Sequence, residues 1–242
     1  MRWPVGLAVV FCTAAAGAAP GLRETKTVML DPGHGGSNTG AAGVVEGLYE
    51  KRVTLALARA VARRLEAAGV RVLFTREDDS YVSLRERARR ATTSNAALFV
   101  SIHCNASPTR SQRGYETYIL TPEALAVDTA AIRGDDGPAR EGLDADTARL
   151  LDDLERDAAL VASARLAERV QARLAEARGA AASRGVRQAA MDVLMGPTIP
   201  SVLVEVGFID HPVEGVELLR RETRERIAGA LAQAILDSQE LR

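Results

Sequence analysis

The chain has 242 residues, 47% of them hydrophobic and 26% charged, the make-up of an ordinary globular protein whose length suits one domain of the larger kind. Its 31 basic and 32 acidic side chains leave a formal charge of -1. That balance excludes wholesale attraction to nucleic acid or anionic lipid, so a polymeric substrate would have to be gripped locally.

Met1-Arg2-Trp3-Pro4 carries one positive charge and leads into the apolar run Val5 to Ala16, which ends in the small residues Ala16-Gly17-Ala18. This pattern predicts a signal peptide over 1–18 and an exported product, periplasmic or extracellular. A run of roughly 15 apolar or small residues falls short of the about 20 that a membrane-spanning helix needs, so no stable membrane insertion is expected. Phe11 before Cys12 disfavours lipidation there. Removal of 1–18 takes away Arg2 and no acid, leaving 30 basic against 32 acidic side chains. Cys104 then stands alone and no internal disulfide forms, which a domain of this size does not need. A monomer is expected.

The mature chain, 19–242, reads as one catalytic domain. Thr27 to Leu30 is a short apolar strand that runs into Asp31-Pro32-Gly33-His34-Gly35-Gly36-Ser37, where proline and glycines force a loop. Val53, Leu57, Ala60, Val61 and Leu65 recur at helical spacing between Glu50 and Ala68, and Gly69 stops the helix. Val70 to Thr75 is a second strand, Ser83 to Ala91 a short charged helix, Ala97 to Ile102 a buried strand, and Gly114 to Leu120 another. A stretch at about 121–180 breaks the rhythm, with an acidic start from Arg133 to Glu141 followed by helically spaced Leu150, Leu154, Val161, Leu166, Val170 and Leu174. It reads as a helical insertion. The strand Ser201 to Val206 and a helix near Glu222 to Ser238 complete a three-layer α/β fold with a mostly parallel sheet.

Two of the three histidines, His34 and His103, follow apolar strands directly. The carboxyl ends of neighbouring parallel strands converge on one edge, which could bring both imidazoles to one ion. Glu50, opening a helix just after the His34 loop, could add a carboxylate or could serve its own helix dipole, and position alone does not decide. Two imidazoles and one carboxylate with a position left for water form the ligand set of a hydrolytic zinc site. Cys104 points away from His103 in an extended segment and is expected to pack. Glu205 interrupts the apolar strand Val202 to Phe208, where a charge needs a partner: a water at the metal centre, or one of the many arginines.

These blocks also resemble a family, the zinc-dependent N-acetylmuramoyl-L-alanine amidases of the type-3 class, over nearly all of the mature chain. The likeness lies in Asp31-Pro32-Gly33-His34-Gly35-Gly36, Glu50-Lys51, Thr75-Arg76 followed by Leu84-Arg85-Glu86-Arg87, Ser101-Ile102-His103-Cys104-Asn105-Ala106, and Pro200-Ser201-Val202-Leu203-Val204-Glu205-Val206-Gly207-Phe208. It implies a twisted sheet between helices, zinc held by His34, Glu50 and His103, and Glu205 as catalytic acid/base. The implied reaction is hydrolysis of the amide between N-acetylmuramic acid and the L-alanine of the peptidoglycan stem.

Leu150 to Ala164 is similar to the helix framing an insert that, in division-site amidases, covers the zinc until a protein activator removes it; the part ahead of it departs from that pattern. Ile209-Asp210-His211-Pro212 also departs, and His211 is expected in a turn. Arg76 and Arg87 are structural or substrate-orienting, and sequence does not choose. A dinucleotide-binding loop is excluded, since counting from Gly33 the third glycine of that fingerprint falls on Asn38. A non-catalytic wall-binding module of the same fold would be favoured by loss of a ligand or of Glu205, and all four are present. A zinc carboxypeptidase acting on stem peptides would need an arginine for the terminal carboxylate, which the sequence can supply.

Overall fold

The computed structural model describes residues 26–125 and 143–240. The expected signal peptide and the acidic stretch Arg133 to Glu141 lie outside them.

Six strands form one sheet: β1 (Thr27–Pro32), β2 (Arg71–Phe74), β3 (Leu98–Asn105), β4 (Tyr115–Ile119), β5 (Ser183–Gln188) and β6 (Ser201–Phe208), in the order β2-β1-β3-β6-β4-β5. All neighbours run parallel except β4 against β6. The helices are α1 (Glu50–Ala67), α2 (Leu84–Thr93), α3 (Ala145–Arg178), α4 (Glu214–Leu219) and α5 (Arg221–Glu240). The mostly parallel α/β fold expected from the alternating pattern is therefore the one observed.

Strand side chains alternate between faces, and here the alternation divides structure from chemistry. Val28, Leu30, Val100, Ile102, Cys104, Val202, Val204 and Val206 face one main core, filled by Val53, Leu57, Val61 and Leu65 of α1 and by Ile227, Leu231 and Ile235 of α5. Met29, Phe99 and Leu203 face a thinner second core against Ala91 of α2 and a 3-10 turn at Asp192–Leu194. The residues between them on that second face are Asp31, Ser101, His103 and Glu205. α2 is capped by Ser83, whose side chain accepts from Glu86 N, and Asp144 caps α3 through Asp146 N and Thr147 N.

The stretch expected as an insertion is not set apart at its carboxyl end. α3 is 34 residues long, and Leu166, Ala167, Val170 and Leu174 are buried in the main core beside α5, while Leu150, Leu154 and Val161 in its first half are more than half exposed. One helix therefore has two environments, which a single helical period in sequence cannot distinguish. β5 was not anticipated. Ser-Arg-Gly-Val-Arg-Gln lacks apolar alternation because it is an exposed edge strand with an irregularity opposite β4.

Leu174→Ala should lower unfolding free energy by about 2–5 kcal/mol, whereas Leu154→Ala should stay within about 0.5 kcal/mol. Denaturant titration of the two variants checks this, and equal effects would show that α3 belongs to the core along its whole length or not at all.

Candidate metal centre and catalytic carboxylate

The loop after β1 is shaped to bring backbone close to side chains. Gly33 N donates to Ile102 O at 3.0 Å, and a Cβ on Gly33 would lie 2.4 Å from the His103 ring, so only glycine lets that ring lie against β1. His34 sits at φ 61°, a left-handed backbone that costs a non-glycine residue energy and is kept by its surroundings. Arg87 Nη2 grips the His34 carbonyl, and Arg76 donates to Pro32 O (2.9 Å), Gly33 O (2.7 Å) and Lys51 O (2.9 Å). Both guanidiniums are buried, at 2% and 3% exposure, and serve the backbone of this loop, so the structure decides what the sequence left open.

α1 starts where the loop returns. Glu50 N donates to Ala41 O, and Thr54 Oγ1 donates to Gly33 O, tying the first turn of α1 to the His34 loop. The Glu50 carboxylate bonds to groups outside its own helix. Its Oε2 lies 2.9 Å from His34 Nε2 and accepts from Ala41 N at 3.0 Å; its Oε1 lies 2.9 Å from His103 Nδ1 and accepts from Cys104 N at 3.0 Å. His34 Nδ1 meets Asn38 Oδ1 at 2.9 Å, which orients the ring from behind. The two imidazole centroids are 4.9 Å apart at 74°, and one donor atom from each of His34, Glu50 and His103 lies within 4.8 Å of the others. Two nitrogens and one oxygen, converging and half-shielded from water, suit a borderline-soft divalent cation. Burial alone would raise the Glu50 carboxyl, but its hydrogen bonds to His103 and His34 hold it well below the usual carboxylate range. Burial likewise works against a charged His103, and the Glu50 carboxylate outweighs it and raises the imidazole.

Glu205 pairs in register with His103 on the adjacent parallel strand. Its Oε2 is buried without a hydrogen-bond partner, and no ion pair of Glu205 is present among the described residues. Burial pushes its carboxyl up to about 7; His103 opposes the shift, while Glu50 and Glu116 add to it. The arginine partner that the sequence allowed is absent there: Arg178 pairs instead with Glu214 and Val206 O.

Cys104 is buried on the opposite face from His103. His211 is a turn residue whose Nδ1 accepts from Val213 N and Glu214 N. Three contributors gave no local signal in sequence. Asn38 supports His34; Gly40, at φ 67°, stands where a Cβ would be 2.6 Å from His34 and 2.7 Å from Glu50; and Glu116 of β4 lies directly opposite Glu205.

The N-acetylmuramoyl-L-alanine amidase family matches residues 28–237. The chain belongs to that family. It is 33% identical over 206 residues to the N-acetylmuramoyl-L-alanine amidase LytC of Bacillus subtilis (strain 168), covering 85% of this chain and 34% of that protein. With the N-acetylmuramoyl-L-alanine amidase AmiA of Salmonella typhimurium it shares 33% identity over 93% of this chain and 81% of AmiA. Among solved structures, the CwlD amidase of Clostridioides difficile, in complex with the GerS lipoprotein, superposes with a TM-score of 0.70 at 26% identity, covering 90% of this chain and all of that one. The chain thus spans about a third of LytC's length and about four fifths of AmiA's.

A carboxyl raised in the folded state adds stability below its unfolded pKa of 4.5, and that stability is lost as pH rises through about 7. With metal removed by a chelator, Glu205→Gln should match the parent near pH 4 and exceed it by about 1–3 kcal/mol at pH 8. Thermal or denaturant unfolding at the two pH values checks this; a variant less stable than the parent at pH 8 would show that Glu205 has a stabilising partner.

Proposed function

We propose that the chain is an exported, zinc-dependent N-acetylmuramoyl-L-alanine amidase, in which His34, Glu50 and His103 hold the zinc and Glu205 is the catalytic acid/base. The observation that carries this is the buried, unpartnered Oε2 of Glu205 beside three converging donor atoms. A bound zinc ion supplies Lewis-acid polarisation of the scissile carbonyl and acidifies water at neutral pH.

Glu205 takes a proton from the attacking water as its oxygen adds to the carbonyl carbon. It gives that proton to the amide nitrogen as the C–N bond breaks, so the free amine of L-alanine leaves and the muramyl carboxyl group, which keeps the water's other proton, ionises to solvent. A carboxyl poised near neutrality is suited to both halves of this exchange. Asn38 and Glu50 keep the imidazoles in one orientation, and the Gly33 and Gly40 approaches keep the pocket narrow.

Residues 19–242 form the catalytic domain in this proposal, and 1–18 the leader that delivers it to the wall. No described helix is long and apolar enough to cross a membrane. A stem-peptide carboxypeptidase is the rival chemistry, and product analysis separates them, because amidase action frees intact stem peptides beginning with L-alanine.

Glu205→Ala should keep one zinc per chain and lose about 10²–10⁴-fold in turnover, while His34→Ala should lose the zinc itself. Elemental analysis alongside muropeptide assays tests both; a Glu205→Ala protein with full zinc and near-full activity would remove Glu205 from the chemistry.

A protein partner acting at the segment around 121–180 is part of the same proposal, supported by the exposed Leu150, Leu154 and Val161 of α3 and by the lipoprotein carried by the CwlD neighbour. Deleting about 123–144 should raise basal wall hydrolysis if that segment covers the site, and an unchanged basal rate would argue that it does not.

A further inference from the structure

The row of charged side chains on the active face does not end at Glu205. β4 runs antiparallel to β6 with Glu116 opposite Glu205, and β5 closes the sheet beyond β4. Residues three apart on a regular strand point to opposite faces, so Arg184 and Arg187 would be divided between the two faces of β5. They are not. The register of β5 against β4 shifts between Tyr115 and Thr117, and Gly185 within that shift has φ 81°. This extra residue resets the alternation, and both arginines reach the same carboxylate, Arg184 Nε at 3.0 Å and Arg187 Nε at 3.6 Å from Glu116 Oε2.

Glu116 is buried, with 4% of its side chain exposed, and also accepts from Asn105 Nδ2 and Tyr118 OH, so its charge is already well solvated by protein. One guanidinium suffices to neutralise it. Arg184 does so, held further by Gln112 Oε1 at 2.9 Å and by stacking over Phe208 with 5.1 Å to the ring centroid. Arg187 is different: its side chain is 51% exposed, and among the described residues it pairs only through the long Nε contact. An exposed ion pair of that length adds little stability, so neutralising Glu116 does not account for the second arginine. The pair leaves a surplus positive charge two strands from Glu205; Arg187 is level with Leu203 through Tyr118, so the two backbones are roughly 12 Å apart at the usual strand spacing and rise, and the Arg187 side chain leans back to Glu116.

We propose that Arg187, with Arg184 beside it, is the subsite that binds a carboxylate of the stem peptide on the leaving-amine side of the scissile bond. This rests on the amidase reading above. An extended chain advances about 3.3–3.6 Å per residue, so a carboxylate on the second stem residue, after L-alanine, falls within reach of Arg187 when the amide lies beside Glu205. The planar guanidinium matches such a carboxylate with two parallel hydrogen bonds, and a carboxamide at the same position offers only half that match.

The test compares two soluble muropeptides that differ only at the second stem residue, one with a free carboxylate and one with a carboxamide, using the full zinc-loaded chain. The ratio of kcat/KM for the two, measured on a single protein preparation, cancels any loss of folded enzyme. The parent should favour the carboxylate about tenfold or more, Arg187→Gln should bring the ratio under about twofold, and Arg187→Lys, which keeps the charge but not the fork, should fall between. Equal cleavage of both substrates by the parent, or a preference that survives in Arg187→Gln, overturns the subsite alone. A chain that cleaves neither muropeptide, with residues 123–144 present or deleted, overturns the amidase reading and the subsite with it.

Discussion

The site depends on one buried ion pair beneath it. Asp31 is fully buried and receives Arg87 Nη1 at 2.6 Å, Ser101 Oγ at 2.6 Å and the Thr75 hydroxyl, so β1, β3, α2 and the residue that follows β2 meet at a single carboxylate. Arg87 then extends past Asp31 to the carbonyls of Pro32, His34 and Val82. A buried pair is stabilising only when its remaining lone pairs and protons are satisfied, and here they are satisfied by the backbone that carries His34. The left-handed conformation of His34 is thus held through its carbonyl by the Arg87 guanidinium paired with Asp31, and Arg76 holds the same loop through Gly33 O.

The division of the sheet into two faces explains why chemistry collects where it does. The main core takes three long helices, whereas the second face is covered by α2, the 3-10 turn at Asp192–Leu194, Ala124 and, from α3, Leu160. Parallel β1, β3 and β6 end on that side and deliver the His34 loop, His103 and Glu205 in lateral sequence. Glu50 arrives from α1 on the far face by reaching around the strand ends. The reversal at β4 then adds Glu116 at the register position of Glu205, and the irregular β5 adds two cations on the same face.

Much of this was legible in the sequence because strand-end histidines, a helix-opening acid and a lone acid in an apolar strand are local anomalies. The structure brings donor atoms of His34, Glu50 and His103 together and sets Glu205 in register with His103. What was not legible depends on register between distant segments. Tyr-Glu-Thr-Tyr-Ile shows an acid on a strand but not which residue faces it, and β5 hides both its strand character and the common face of Arg184 and Arg187 behind a bulge. Asn38 and Gly40 are ordinary loop residues until the positions of His34 and Glu50 are fixed. The helical period of α3 is continuous across 34 residues, so nothing in its spacing separates the buried Leu166, Val170 and Leu174 from the exposed Leu150, Leu154 and Val161.

Glu50 and Glu205 differ sharply in their surroundings. Both are largely buried, yet Glu50 has four nitrogens on its two oxygens and is held well below the usual range, while Glu205 has one oxygen with no partner and is pushed up to about 7. Neighbouring acids whose surroundings drive them apart in this way take different tasks. An acid that stays ionised under all working conditions can anchor a cation but cannot return a proton, and an acid poised near neutrality can exchange protons but would hold a cation weakly. Exchanging the two surroundings would require moving the Ala41 and Cys104 amides, which are fixed by the hairpin before α1 and by β3. The contrast between the two carboxylates is therefore built into the backbone.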